Sequence, residues 1–192
     1  MTELEIFNTI SNRQIKALMF HNEMADYFDF LGLNGFKRMH EYQYLKESAE
    51  LRGTHRYILN HLNKLVPDDR IESVSVIPSN WYNFKRSDVD VSTRKNAVKE
   101  ALQKYYDWEQ ETLTIFENAF VEMSKLGKIA YTNKIMDLIC DVDKELKCVC
   151  RMWLKYKAVD FDMVLIEEEQ NELHEKYKNK TKEIGIDITW QF

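Results

Sequence analysis

The chain has 192 residues, enough for one domain with a sizeable core, and 44% of them are hydrophobic. Its 5 glycines and 2 prolines are too few for an all-β protein, which needs a turn about every 8 to 12 residues, and are typical of long helices. A formal net charge of -5, with both signs interspersed, excludes a general basic field for nucleic-acid binding.

The first two predicted helices form a hairpin. Apolar and aromatic residues recur three and four positions apart over residues 8–31, which predicts a helix there. The string Gly32-Leu-Asn-Gly35 then interrupts the pattern and predicts a short turn. A second apolar stripe predicts a helix over residues 34–65, which Pro67 ends.

A long connection is predicted over residues 66–92, which contain both prolines and a β-favouring patch from Ile71 to Ile77. About 26 residues can span the whole length of a helical bundle, so the helices on either side can lie parallel. We therefore expect an ordered crossover and not a flexible linker.

The third and fourth predicted helices form a second hairpin. The third begins near Ser92 and is broken by Gly127, and the fourth runs from about Thr132 to Lys157. Short, long and short connections predict an all-α protein in which two antiparallel hairpins make one four-helix bundle over residues 1–157.

Residues 158–192 are predicted to complete the same domain. Glu172/Lys176 and Glu175/Lys179 pairs over residues 160–183 are typical of a short solvated helix with little core of its own. The apolar tail after it is expected to dock on the bundle or on a neighbouring subunit.

The sequence contains no apolar run near the roughly 18 residues of a membrane span. The start, Met1-Thr-Glu-Leu-Glu, also lacks the basic and apolar regions of a signal peptide. We therefore expect a cytoplasmic protein. Cys140, Cys148 and Cys150 lack the paired spacing of a zinc knuckle and are interpreted as reduced thiols.

Several acidic residues fall on helical stripes that should be apolar. Glu47, Glu109 and Glu145 lie in the middle of the second, third and fourth helices, and Glu50 follows Glu47 by one turn. A buried, unpaired carboxylate costs several kcal/mol, roughly, unless it is paired or binds a metal. The candidate metal ligands are Glu47, Glu50, Glu109, Glu145, Asp143, His21 and Gln14.

Carboxylates and imidazoles that converge from facing helices suit two iron or manganese ions, because carboxylates are hard ligands and can bridge two cations. The opposite interpretation stays open from the residues alone. A stripe assignment that is wrong by one position would put the acids on a solvated face, or pair them with Lys46, Arg52 or Lys99.

Three short strings occur in the order in which similar strings occur in ferritins. They are Asn12-Arg-Gln-Ile15 at the start of the first helix, Asp26-Tyr-Phe-Asp29 near its end, and Gly35-Phe36 at the start of the second. The segment from Asp69 to Trp81 also resembles the ferritin crossover. The chain thus resembles the ferritin-like superfamily, which implies a ferritin-like four-helix bundle with a long crossover and a short fifth helix.

The resemblance also implies a metal site with two departures from the family. Alignment on Phe36 places Glu47 and Glu50 where ferritins have the glutamate and the histidine of their ferroxidase motif, Glu-x-x-His. Gln14 falls where the family has a glutamate on its first helix.

The third and fourth helices leave the register of the resemblance open. The family's third-helix glutamate falls nearest Glu109 or Glu111, and its fourth-helix acid falls nearest Asp143 or Glu145. Both alternatives stand at this point.

The entry to the second helix also resembles the Dps-type mini-ferritins, through the string Phe36-x-x-x-His40-Glu41. That alignment implies that His40 is a metal ligand at a subunit interface. Because Phe28 stands where that family has a first-helix histidine, we rank it second.

The first functional hypothesis is an iron-binding protein, and a possible ferroxidase, that oxidises Fe(II) and stores or detoxifies iron at a di-metal site. The resemblance further implies a homo-oligomer that forms a cage. The alternative is a ferritin-like scaffold with a degenerate metal site that acts as a structural or interaction protein. A third hypothesis is another carboxylate-bridged di-metal oxidoreductase.

Overall fold

The computed structural model describes residues 1–66 and 72–184 of the chain. Its helices are α1 (Glu3–Phe30), α2 (Asn34–Tyr57), α3 (Val91–Lys125), α4 (Ile129–Ala158), α5 (Met163–Glu168) and α6 (Gln170–Glu183). A π-helical turn, Ile58–Leu62, extends α2, and two short 3-10 helices lie at Ser79–Asn83 and Arg86–Asp88. The described ranges contain no β-strand, and the predicted all-α class is confirmed.

The four long helices form two antiparallel hairpins. Gly32 (φ +73) lies in the turn between α1 and α2, and Gly127 (φ +69) lies in the turn between α3 and α4. Only glycine adopts this left-handed backbone without strain, so both residues end a helix and reverse the chain. The hairpins pack on each other mainly through α1 and α3.

The bundle interior contains two apolar clusters, one toward each end. One includes Phe28, Phe36 and Leu102, and the other includes Phe7 and Phe116. Gln14, Glu47, Glu109 and Glu145 lie on the four long helices between the parts that join these two clusters, and His21 lies next to Phe20 of the first cluster. A polar layer therefore crosses the middle of the bundle.

The predicted crossover runs along α1 and α3. The Glu23 carboxylate on α1 accepts hydrogen bonds from the backbone N–H of Val76 and, at 3.1 Å, from the Tyr82 hydroxyl. Lys104 on α3 donates to the Val76 carbonyl at 2.5 Å. The β-favouring patch forms no strand over residues 72–77, and Ile71 lies outside the described residues.

The helix ends differ from the sequence prediction by a few residues, because the capping side chains lie at other positions. α1 begins at Glu3, since Thr2 and Glu5 form a reciprocal capping box. The Asp90 carboxylate, and not Ser92, caps α3.

The second helix is also shorter than predicted. Regular α-helical hydrogen bonding ends at Tyr57, and the π-helical turn brings the chain to Asn63, which has a left-handed backbone (φ 51). The sequence predicts a helix to residue 65. Pro67, the expected stop signal, lies outside the described residues.

The carboxyl-terminal segment has more core than the sequence predicts. It forms two helices, and Ile166 and Tyr177 are buried against the bundle. Asp160 and Phe161 have left-handed backbones (φ 50 and 53), which separate α4 from α5. Residues 185–192 of the expected docking tail lie outside the described range.

Helix α6 packs on α2 and caps it. The Gln170 side-chain oxygen accepts hydrogen bonds from the backbone N–H groups of Gly35 at 2.9 Å and Phe36 at 3.1 Å. Leu33, at the N-cap of α2, contributes no side-chain hydrogen bond. A residue from α6 therefore satisfies N–H groups that a local cap would ordinarily serve.

No helix in the described ranges is long and apolar enough to cross a membrane.

We expect two glycines of the same helix to respond in opposite directions to alanine. A Cβ atom on Gly35 would lie 2.6 Å from the Gln170 carbonyl oxygen, whereas one on Gly53 meets nothing within 4 Å. Gly35→Ala should lower the free energy of unfolding by about 1–3 kcal/mol, and Gly53→Ala should raise it by about 0.5–1 kcal/mol. Chemical denaturation measures both, and an equal response would contradict the close packing of α6 on α2.

Candidate metal centre

The polar layer draws one or more side chains from each long helix. Its most buried candidate ligands retain the following exposed fractions: Gln14 1%, His21 0%, Glu47 8%, Glu109 2% and Glu145 9%. Each lies on a stripe that is apolar toward both ends of its helix, and the same periodicity that buries those apolar residues buries the polar ones. Five of the seven candidate ligands therefore lie in one layer.

The carboxyl groups of this layer affect one another's protonation. Burial raises the pKa of Glu109 well above its ordinary value, and the neighbouring carboxylates of Glu145 and Glu47 raise it further. Burial also raises the pKa of Glu47, and the charges of Glu50 and Glu145 add to the effect. Such a layer holds protons or attracts cations.

Two buried histidines lie beside the carboxyl groups. The Nδ1 atoms of His21 and His40 are 3.0 Å apart, so one ring donates a hydrogen bond and the other accepts it. Burial lowers the pKa of His21 to about 3 and that of His40 well below its ordinary value. Both rings are therefore neutral at pH 7, as metal binding by an imidazole requires.

Several polar atoms face the interior without a partner. His21 Nε2 lies 3.9 Å from Glu109 Oε1, and neither atom has a hydrogen-bond partner among the described residues. Both side-chain amide atoms of Gln14 also lack one within the described ranges. Because most buried polar groups in proteins are satisfied, these unpaired atoms are the part of the layer that a bound water molecule or ion would satisfy.

Lys46 closes the outer edge of the centre, between α2 and α4. Its ammonium group contacts the Glu145 carboxylate and lies 3.3 Å from Glu50. Burial opposes the charge on Lys46, but the carboxylates of Glu145 and Glu50 outweigh it and raise the pKa of the lysine. The three side chains are 22%, 10% and 19% exposed, respectively, so this edge is the one nearest solvent.

The contacts of Arg13 show which glutamate of the third helix, Glu109 or Glu111, faces the centre. Its guanidinium group donates to Thr112 Oγ1 at 2.8 Å, to the Trp108 carbonyl at 2.8 Å and to Glu111 at 3.1 Å. It also stacks on the Trp108 ring, 3.4 Å from the ring centre. Glu111 is thus an outward ion-pair partner, 63% exposed, whereas Glu109 faces the centre.

Asp143 does not join the polar layer. It forms an ion pair with Lys147 on the outside of α4, and its side chain is 40% exposed. Two positions along a helix correspond to a rotation of about 200°, so Asp143 and Glu145 cannot face the same way. Of the two alternatives on the fourth helix, the structure brings Glu145 inside.

His40 has no place at a surface within this chain. It is fully buried, its ring stacks on Phe28 with centroids 5.4 Å apart, and its edge meets Tyr105 at 4.7 Å. The Dps-type alignment implied a ligand at a subunit interface, and the packing contradicts that implication. His40 instead forms a hydrogen bond with the Nδ1 atom of His21 and so fixes the orientation of that ring.

Two residues of the centre, Gln43 and Tyr105, were not predicted as members of it. The Gln43 side chain donates a hydrogen bond to the Tyr105 hydroxyl at 3.1 Å. Gln43 lies one turn before Glu47 on α2, and Tyr105 lies one turn before Glu109 on α3. Polar residues one turn before each acid on the same stripe were the available signal. The sequence offers Lys46 only as an alternative partner for the acids, because its reach to α4 depends on how the helices pack.

In the conformation described, no three histidine, cysteine, aspartate or glutamate side chains within residues 1–66 and 72–184 converge closely enough to hold a metal ion. The chemistry of the donors still fits a hard cation, since they are carboxylate oxygens, an amide and one neutral imidazole.

Solved ferritin structures share this fold. An open-pore ferritin from the archaeon Archaeoglobus fulgidus superimposes with a TM-score of 0.73 at 18% identity, covering 90% of this chain and 95% of that one. A humanized archaeal ferritin gives 0.73 at 16% identity, covering 91% and 97%. A PmFTN variant soaked in iron gives 0.66 at 15% identity, covering 88% and 96%.

No family model and no curated protein sequence matches the chain. At these identities the structural likeness establishes the fold, and the predicted ferritin-like four-helix bundle is confirmed.

We expect Glu109→Gln to stabilise the metal-free protein in a pH-dependent way. The folded-state pKa of Glu109 is raised, so above about pH 4.5 the unfolded chain releases a proton that the folded chain retains, and stability falls as the pH rises. Glutamine is neutral throughout. The variant should gain about 1–3 kcal/mol at pH 7.5 and almost nothing near pH 4.5.

Urea denaturation at both pH values measures this difference. Glu117→Gln, at an exposed position of the same helix, is the control and should change stability little at either pH. An equal gain in stability at pH 4.5 and pH 7.5 would show that burial does not raise the pKa of the Glu109 carboxyl group.

Proposed function

We propose that this protein binds Fe(II) in the polar layer of its bundle, promotes its oxidation and keeps the resulting iron sequestered. The observation that carries the proposal is the set of unpaired donors on α1 and α3, above all His21 Nε2 facing Glu109 Oε1 at 3.9 Å. The ferritin-like fold supports it. The ligands we assign are His21, Gln14, Glu47 and Glu109 in the interior, with Glu50 and Glu145 at the outer edge of the layer, where Lys46 contacts them.

Each residue has a distinct role in this proposal. Glu47 and Glu109 supply carboxylate oxygens in the interior. Because the pKa values of both groups are raised, a bound cation must displace protons from them, and binding strengthens as the pH rises. His21 supplies a neutral nitrogen, held by its hydrogen bond to His40. Gln14 supplies a neutral oxygen and so keeps the negative charge lower than a fifth carboxylate would.

The oxidation is written with iron as the substrate. Each Fe(II) ion loses one electron, and one dioxygen molecule takes two such electrons and two protons to become hydrogen peroxide. Carboxylate ligands favour Fe(III) over Fe(II) because the more highly charged ion gains more from hard anionic oxygens.

A second candidate function rests on Lys46. Because its ammonium group already contacts Glu145 and Glu50, part of the negative charge is compensated without a metal. A ferritin-like scaffold that no longer binds iron, and acts through its surface, would have this arrangement.

Anaerobic Fe(II) titration distinguishes the two functions. We expect the wild-type protein to bind Fe(II) and Glu47→Gln to bind it at least about 10-fold more weakly, since a ligand is lost. Asp143→Asn, on the outside of α4, should bind as the wild type does. Absence of Fe(II) and Mn(II) binding to the wild type would favour the scaffold.

Iron storage requires more than binding. We expect light scattering of the purified protein to show a closed assembly of many chains, and aerobic Fe(II) addition to load iron beyond the occupancy of the centre. The measurement is iron retained per chain after gel filtration. A monomer or dimer that retains only the ions of the centre would exclude storage and leave Fe(II) binding standing.

A further inference from the structure

The centre has an inner half that is short of partners. His21 Nε2, Glu109 Oε1 and the amide of Gln14 are buried, at 2% exposure or less, and lack hydrogen-bond partners in the described part of the chain. They come from α1 and α3, the two helices through which the hairpins meet. A cation between His21 Nε2 and Glu109 Oε1, which are 3.9 Å apart, would satisfy both atoms at once.

The outer half is already satisfied. The Lys46 ammonium group lies between two carboxylates, contacting Glu145 on α4 and lying 3.3 Å from Glu50 on its own helix. These carboxylates are partners for a positive charge, and the covalently attached ammonium group of Lys46 supplies that charge. An ammonium group donates three hydrogen bonds and cannot coordinate a metal while it keeps its proton.

We propose that this centre takes one divalent cation per chain, in its inner half, because the Lys46 side chain occupies the outer half as a built-in positive charge. The inference rests on the proposed Fe(II) site and changes its stoichiometry. A second divalent ion in the outer half would face the ammonium group at close range, where like charges repel strongly.

The nearby charges support the same count. Arg13, the other cation beside the layer, is held by Glu111, Thr112 and the Trp108 carbonyl, so it does not compensate the outer carboxylates. Removing Lys46 would leave Glu50 and Glu145 without the contacts described above. Two carboxylates freed in this way, beside Glu47, form a second site for a hard cation.

The experiment is an anaerobic titration with Mn(II) alone, followed by the electron paramagnetic resonance of the free ion, and repeated with Fe(II) by calorimetry. We expect one ion per chain for the wild type and two for Lys46→Met. Lys46→Arg, which keeps the charge, should bind one. Lys95→Met, which breaks a surface ion pair with Asp160, is the matched control and should also bind one.

Because Lys46→Met leaves two carboxylates without a hydrogen-bond donor, its fold is checked by circular dichroism. Lys46→Gln keeps a neutral donor and serves as the second variant, with two ions expected. Two ions in the wild type would overturn this inference and leave the proposed Fe(II) site intact. One ion in the folded Met and Gln variants would also overturn it.

No ion in the wild type or in any folded variant would overturn the proposed function itself. No ion in the wild type together with ions in Lys46→Gln would overturn the one-ion form, since the lysine would then close the whole centre.

Discussion

The contact between Lys46 on α2 and Glu145 on α4 is the interaction on which the centre of this bundle depends. The two hairpins meet mainly through α1 and α3, so this ion pair joins them on the other side. Buried ion pairs give little net stability, but an unpaired buried charge costs several kcal/mol, roughly. The lysine therefore determines how much negative charge the layer can carry without a bound cation.

The polar layer explains why the bundle has two apolar clusters and not one. Phe28 and Phe36 pack at one end and Phe7 and Phe116 at the other, while Glu47, Glu109 and Glu145 occupy the space between. The buried carboxyl groups, which are costly to bury, therefore lie in the middle of the bundle, where all four long helices surround them. Such an arrangement is typical of functional sites, where local preferences for burial are set aside.

Much of the fold was predictable because helical periodicity and connection length are local properties of the chain. The same periodicity placed Glu47, Glu109 and Glu145 inside correctly. The family resemblance did not decide whether Asp143 or Glu145 faces the layer. The packing of α4 was needed to show that Glu145 does. Contacts between distant segments, such as Gln170 with Gly35 or Lys46 with Glu145, have no signature in a single sequence.

Helix α6 lies against the side of the bundle on which Lys46 and Glu145 meet. Tyr177 packs on Tyr42 of α2, with ring centroids 5.6 Å apart, and its hydroxyl lies 3.9 Å from Cys148 Sγ on α4. It thus bridges the same two helices as Lys46, one turn from the ion pair. If Fe(II) binds in the layer as we propose, an ion that entered between α2 and α4 would pass beside this tyrosine, and the carboxyl-terminal helix would then affect the rate of exchange more than the affinity.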